Sequence, residues 1–201
     1  MVGVSRKWIS LAAVLLAACL CAPAPSSAAP DDPAAQSSRA KLKRHESRYW
    51  IWYSPRGWVA ARGAAGIVVS SPDSGRKSAG VGFSGSGYPV THTFVFNYLK
   101  ASGGLDSHPL RNVRVISRSR KIGFSGGSRR VYIWTARRTD LGGKVRGKLK
   151  IDVFTSAGYG FMVAGINAPN ASWRRDFKLL NRIAGTIFYR PQAIDPWDPP
   201  G

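Results

Sequence analysis

Apolar and polar residues alternate with a period of two along much of this chain, the pattern of strands buried on one face. The clearest run spans residues 144–155. Val145, Leu149, Ile151 and Val153 fall on one side of it, and Lys144, Arg146, Lys148 and Lys150 on the other. It predicts a strand with an apolar inner face and a cationic outer face. Residues 48–54 differ, because Tyr49, Ile51 and Tyr53 alternate with Trp50 and Trp52, so both faces are apolar. That pattern predicts a strand covered on both sides, closed by a turn at Pro55 and Gly57, with Trp58 at the edge of the core. Shorter strands are expected over 66–71 and 79–83, the second weakened by glycine. Three more are expected over 112–119, 129–138 and 158–166. The short connections at 139–143 and 156–158 predict an antiparallel meander.

Two segments follow the helical period instead. Residues 90–102 place Phe94, Tyr98 and Ala101 on one face with Val95 and Leu99 beside them, and Gly103-Gly104 supplies the stop. A second helix opens at Asn170 or Ser172. Trp173, Phe177, Leu180 and Ala184 share its inner face, Arg174, Arg175, Lys178 and Arg182 lie off it, and Gly185 ends it. Residues 186–189 read as a short last strand. The fold class expected is α+β, an antiparallel sheet flanked by helices.

The 201 residues allow one domain plus tails. Residues 1–29 read as an export signal, with Arg6 and Lys7 ahead of an apolar run from Ile9 to Leu20 that is short for a membrane span. Two processing sites compete. Leu16-Ala17-Ala18-Cys19 resembles a bacterial lipobox, which would make Cys19 a lipidated first residue. Ser27-Ala28-Ala29 resembles an ordinary signal-peptidase site. Either route predicts a protein outside the cytoplasm, lipid-anchored on the outer face of the cytoplasmic membrane or secreted. Residues 30–47 read as a disordered tether, 48–190 as the folded domain and 191–201 as a proline-rich tail. Both cysteines, Cys19 and Cys21, lie in the leader. The domain therefore has no disulfide and no cysteine metal site, and its stability must come from packing.

Two short motifs resemble the PsbP-like family, whose members include a photosystem II extrinsic protein, a release factor for the GTPase Ran and small bacterial lipoproteins. Tyr53-Ser54-Pro55-Arg56-Gly57-Trp58 resembles the family's opening strand and turn, and Leu180, Ile183, Thr186 and Phe188 its closing helix. The resemblance covers residues 48–189. It implies an α/β/α sandwich and a binding or scaffolding role without catalysis. No partner-binding residue of the family has a match here.

Lys and Arg number 30 against 10 acids, a formal net charge of +20. Such an excess favours anionic partners: anionic lipid, a phosphate-bearing wall polymer or nucleic acid. The cationic side of 144–150 is the candidate site. Lys144, Arg146, Lys148 and Lys150 would repeat about every 7 Å. Arg129, Arg130, Arg137 and Arg138 on the preceding strand are expected to extend it. A solvated outer face is the plain alternative.

Sites for chemistry are poorly supplied. Gly123-Phe124-Ser125-Gly126-Gly127 has the spacing of a hydrolase elbow, but a strand is expected after it where a helix is needed, and no histidine follows. It is expected to be a glycine-rich hairpin loop. Gly80-Val81-Gly82-Phe83-Ser84-Gly85 has the spacing of a dinucleotide loop without the helix that must open at its third glycine. It is expected to be a flexible strand edge or loop. His45, His92 and His108 are not spaced as metal ligands, and Asp140 and Asp152 read as partners for nearby cations. No enzyme, cofactor or metal is expected.

Overall fold

The computed structural model describes residues 41–101, 110–138, 143–154 and 158–190. The expectations for the leader, Cys19, residues 30–40, Gly103-Gly104, Asp140 and the tail after 190 lie outside the described residues. The fold is built around the expected meander. Strands β8 (Gly127–Arg138), β9 (Gly143–Phe154) and β10 (Gly160–Pro169) pair antiparallel in unbroken register. Their alternation places Tyr132, Trp134, Ala136, Val145, Leu149, Ile151, Val153 and Val163 in one apolar cluster. Ile166 and Ala168, on the opposite side of β10, enter a second cluster.

The sheet continues past β10 through β5 (Ser78–Gly85), β4 (Gly66–Ser70) and β3 (Val59–Gly63), all antiparallel. On the other side β6 (Leu110–Arg118) and β7 (Ile122–Phe124) both pair with β8. The glycine-rich 80–85 segment is therefore an interior strand, and this corrects the expectation of a flexible edge. Close approach is the reason for glycine here. A Cβ on Gly80 would sit 2.8 Å from the Ile67 carbonyl oxygen and 3.1 Å from a Val68 methyl. The 123–127 segment is a hairpin turn, as expected, and Gly126 takes the left-handed conformation (φ 79°) that closes it.

A second, three-stranded sheet joins β1 (Lys43–Glu46), β2 (Trp50–Ser54) and β11 (Phe188–Tyr189). β1 falls inside the segment read as a tether. Its residues Lys-Arg-His-Glu have no apolar alternation to reveal a strand. Pairing with β2 orders it, and His45 stacks on Trp52 with ring centroids 5.3 Å apart.

Each apolar cluster carries one helix. Helix α1 (His92–Ala101) covers the first with Val95 and Phe96, and Phe96 stacks on Tyr132 at 4.5 Å. The expected inner face is corrected here, since Phe94 and Tyr98 are exposed. Helix α2 (Trp173–Gly185) covers the second with Trp173, Leu179, Leu180 and Ile183. Leu180 was expected inside, while Phe177 and Ala184 are only partly covered. The domain is thus mostly antiparallel sheet with two helices. Among the described residues no helix is long and apolar enough to cross a membrane.

The two motifs that suggested a family meet in space. Thr186, at the end of α2, accepts a hydrogen bond from the Tyr53 amide at 3.2 Å and donates to the Ile183 carbonyl at 2.8 Å. The end of the last helix is thereby tied to the first core strand.

Candidate functional site

In antiparallel strands, directly opposed residues point to the same face. The register therefore decides which cations share a surface. Lys144, Arg146, Lys148 and Lys150 share one face of β9, as expected, and it is the α2 side, where helix side chains meet Arg146 and Lys148. Across the ladder Arg137 opposes Lys144, and Arg129 opposes Asp152, so these two arginines join the face. Arg130 opposes Ile151 and Arg138 opposes Gly143, which turns both toward the α1 side. The expectation that all four β8 arginines extend the patch is corrected for these two, because adjacent residues on a strand alternate faces. Arg138 is buried and donates to the Gly75 carbonyl at 3.0 Å. It is a structural arginine.

Strand β6 adds cations that the sequence did not single out. Arg111 opposes Arg137, and Arg114 opposes Thr135. Arg111, Arg137 and Lys144 thus form a row across three strands, with Arg114, Thr135 and Arg146 in the next. Cβ atoms in such rows are about 5 Å apart, and like charges directly opposite one another repel. Lys144, Arg137, Arg111 and Arg114 are exposed, while Arg146, Lys148 and Lys150 are half-buried.

Local contacts shape the face. The Arg146 guanidinium lies 5.8 Å from the Trp173 ring centroid, and Lys148 Nζ lies 5.2 Å from that of Phe177. These cation–π contacts lay the stems of two cations against α2. Arg174 and Lys178, one residue beyond each ring on the helix, are exposed. The α2 ridge thus carries positive charge beside the sheet.

Asp152 is the acid of this face. It is buried, takes a 2.6 Å hydrogen bond from Arg129 Nε and lies 3.6 Å from Lys150 Nζ. Its hydrogen bond raises the Arg129 guanidinium above its ordinary value, against the opposing effect of burial, and its charge adds to the rise. The Arg129 guanidinium also lies 5.8 Å from the Phe124 ring centroid. The expected pairing of Asp152 with neighbouring cations is what the structure shows.

The face offers a regular array of guanidinium and ammonium groups. Groups of that kind attract anions, and among the described residues of this face no nucleophile stands beside a base. Among the described residues no group of three His, Cys, Asp or Glu side chains is placed to hold a metal. The crevice between α1 and the sheet, lined by Phe96, Leu99, Leu110, Val113, Trp134 and Leu149 among others, has about 10 Å³, room for no more than a water molecule.

No family model matches the chain, and no curated protein matches it. Among solved structures it is similar to the cyanobacterial PsbP protein of Synechocystis, at 13% identity over 75% of this chain and 94% of that one, with a TM-score of 0.46. It is also similar to the Ran-binding protein Mog1p of Saccharomyces cerevisiae, at 12% identity over 74% and 95%, with a TM-score of 0.45. A third is LpqN of Mycobacterium tuberculosis, described as involved in cell envelope biogenesis, at 14% identity over 79% and 97%, with a TM-score of 0.42. These are structures of the PsbP/Mog1 fold, the class that the two sequence motifs resemble. At such identities and scores, no residue role, partner or activity passes from them to this chain.

Proposed function

We propose that this protein is a non-enzymatic component of the cell envelope that binds an anionic envelope partner on the α2-side face of β6, β8 and β9. In this reading it is exported, and it is either lipid-anchored at Cys19 or released after cleavage near Ala29. Its domain is a helix–sheet–helix sandwich that serves as a rigid plate for the basic array. One observation carries the reading. The strand register brings Lys144, Arg146, Lys148, Lys150, Arg129, Arg137, Arg111 and Arg114 to one face, with Asp152 as the acid among them. Self-repulsion of such a row opposes folding, and a bound anion relieves it.

The alternative partner, nucleic acid, calls for exposed rings among the cations. Trp173 is buried and Phe177 is partly covered, which leaves Phe124. Anionic lipid or wall polymer is therefore the better fit.

The chain from Ser37 onward is titrated with anionic vesicles, a phosphate-rich polymer and DNA over a salt series. The variant changing Lys144, Arg146, Lys148 and Lys150 to Glu is run beside it. Binding that falls steeply with salt and disappears in the variant is the expected result. Equal binding by the variant, or none at low salt, would return the charge to a solvated surface.

A further inference from the structure

One end of the sheet gathers exposed aromatic and aliphatic side chains that neither core uses. Gly127 of β8 and Gly160 of β10 both oppose Phe154 of β9, and Gly160 also opposes Gly85 of β5. Four strand ends therefore lie in one row. The β7–β8 hairpin projects Ile122 and Phe124 there, 54% and 41% exposed. The same end receives the β5–α1 connection, where the Ser86 amide donates to the Tyr159 carbonyl at 2.5 Å and the Val90 amide to the Gly158 carbonyl at 2.8 Å. His92, at the start of α1, lies 3.0 Å from the Ser128 carbonyl. These contacts bring Tyr88 (70% exposed), Phe94 (58%) and Tyr159 (39%) to the same rim.

Cations are interleaved with these side chains. Lys121 directly precedes Ile122 and is exposed. Arg129 opposes Ile122, its guanidinium beside the Phe124 ring, and Lys150 lies two residues before Asp152 on β9. Asp152, the acid nearest this end of the basic face, is already engaged by Arg129 and Lys150. Exposed apolar side chains on a soluble surface cost free energy unless something covers them. A hydrophilic polymer would gain nothing from Ile122 or Phe124. A bilayer interface accommodates both kinds of group, rings at the headgroup–acyl boundary and cations among anionic headgroups.

We infer that this rim, the β7–β8 tip with Tyr88, Phe94 and Tyr159, inserts shallowly into an anionic membrane surface. The rim adjoins the Lys144–Lys150 array and shares Arg129 and Lys150 with its end, but its apolar side chains lie outside that array. It orients the domain end-on to the bilayer, with the Arg111–Arg137–Lys144 row at the far end of the sheet.

The exported protein is prepared with Cys19→Ser and Cys21→Ser, which leaves it without a lipid and without another cysteine. A single cysteine carrying an environment-sensitive fluorophore is then placed at Ser125, in the hairpin tip, or at Ala171, at the opposite end of the sheet. With phosphatidylglycerol–phosphatidylcholine vesicles, the probe at 125 shifts to the blue and brightens, and the probe at 171 does not. Replacing Tyr88, Ile122 and Phe124 together by Ser, all exposed and off the core, lowers vesicle partitioning at least about tenfold and leaves polymer binding unchanged. The Lys144–Lys150 charge reversal abolishes polymer binding, so failure of the basic face and failure of the rim read out separately. Equal response of the two probes, or unchanged partitioning of the Ser variant, would overturn the inference.

Discussion

Asp176 shows how one residue can serve the fold against its own solvation. It is fully buried in the first turn of α2. Burial pushes its carboxyl upward, but hydrogen bonds from Ser172 and Arg175 and the charges of Lys77 and Arg175 outweigh this and hold it below its ordinary value. A lowered carboxyl contributes stability that is present above the unfolded value and lost as pH falls through the folded one. Asp176→Asn should therefore cost about 1–3 kcal/mol at neutral pH, and the difference from the parent should shrink below about pH 4. Urea unfolding at pH 7 and pH 3 measures both. At Gly80 the governing effect is contact. Gly80→Ala forces a methyl against the Ile67 carbonyl and should destabilise by roughly 1–3 kcal/mol, read as a lower urea midpoint.

At the scale of elements, α1 carries the clearest lesson. Its apolar residues are spread over more than one face, so the period allows two choices of inner side. Taken alone, the sequence favours Phe94, Tyr98 and Ala101. The structure turns in Val95, Phe96 and His92, because Phe96 meets Tyr132 and His92 meets Ser128 on β8. Phe96→Ala should cost about 3–5 kcal/mol, whereas Phe94→Ala should stay within about 0.5 kcal/mol. Thermal melts of the pair test the assignment directly. Strand β9 offered no such ambiguity, since a period of two leaves only two faces and one of them is apolar.

At the scale of the molecule, charge is the dominant departure from an ordinary domain. The basic residues of neighbouring strands among β6, β8 and β9 lie within a screening length of one another, about 8 Å at physiological salt. Added salt should raise the melting temperature between low and moderate ionic strength, before any ligand is present. A calorimetric scan at two sodium chloride concentrations checks this. A chain for which salt has no effect would mean that the face is already compensated.

Local pattern determined much of this protein. The cationic side of β9 and the amphipathic α2 follow from periodicity, the meander from short connections and the hairpin at residues 123–127 from its glycines, all properties of neighbouring residues. Tertiary structure alone decided how the other strands assemble around that meander. Alternation along β8 allows only one of its two arginine pairs on the basic face; register chose Arg129 and Arg137, and it brought Arg111 and Arg114 beside them. It made a glycine-rich segment an interior strand and gave a charged tetrapeptide, β1, a partner. These outcomes depend on contacts between residues far apart in the chain, and no local alternation of polar and apolar positions encodes them.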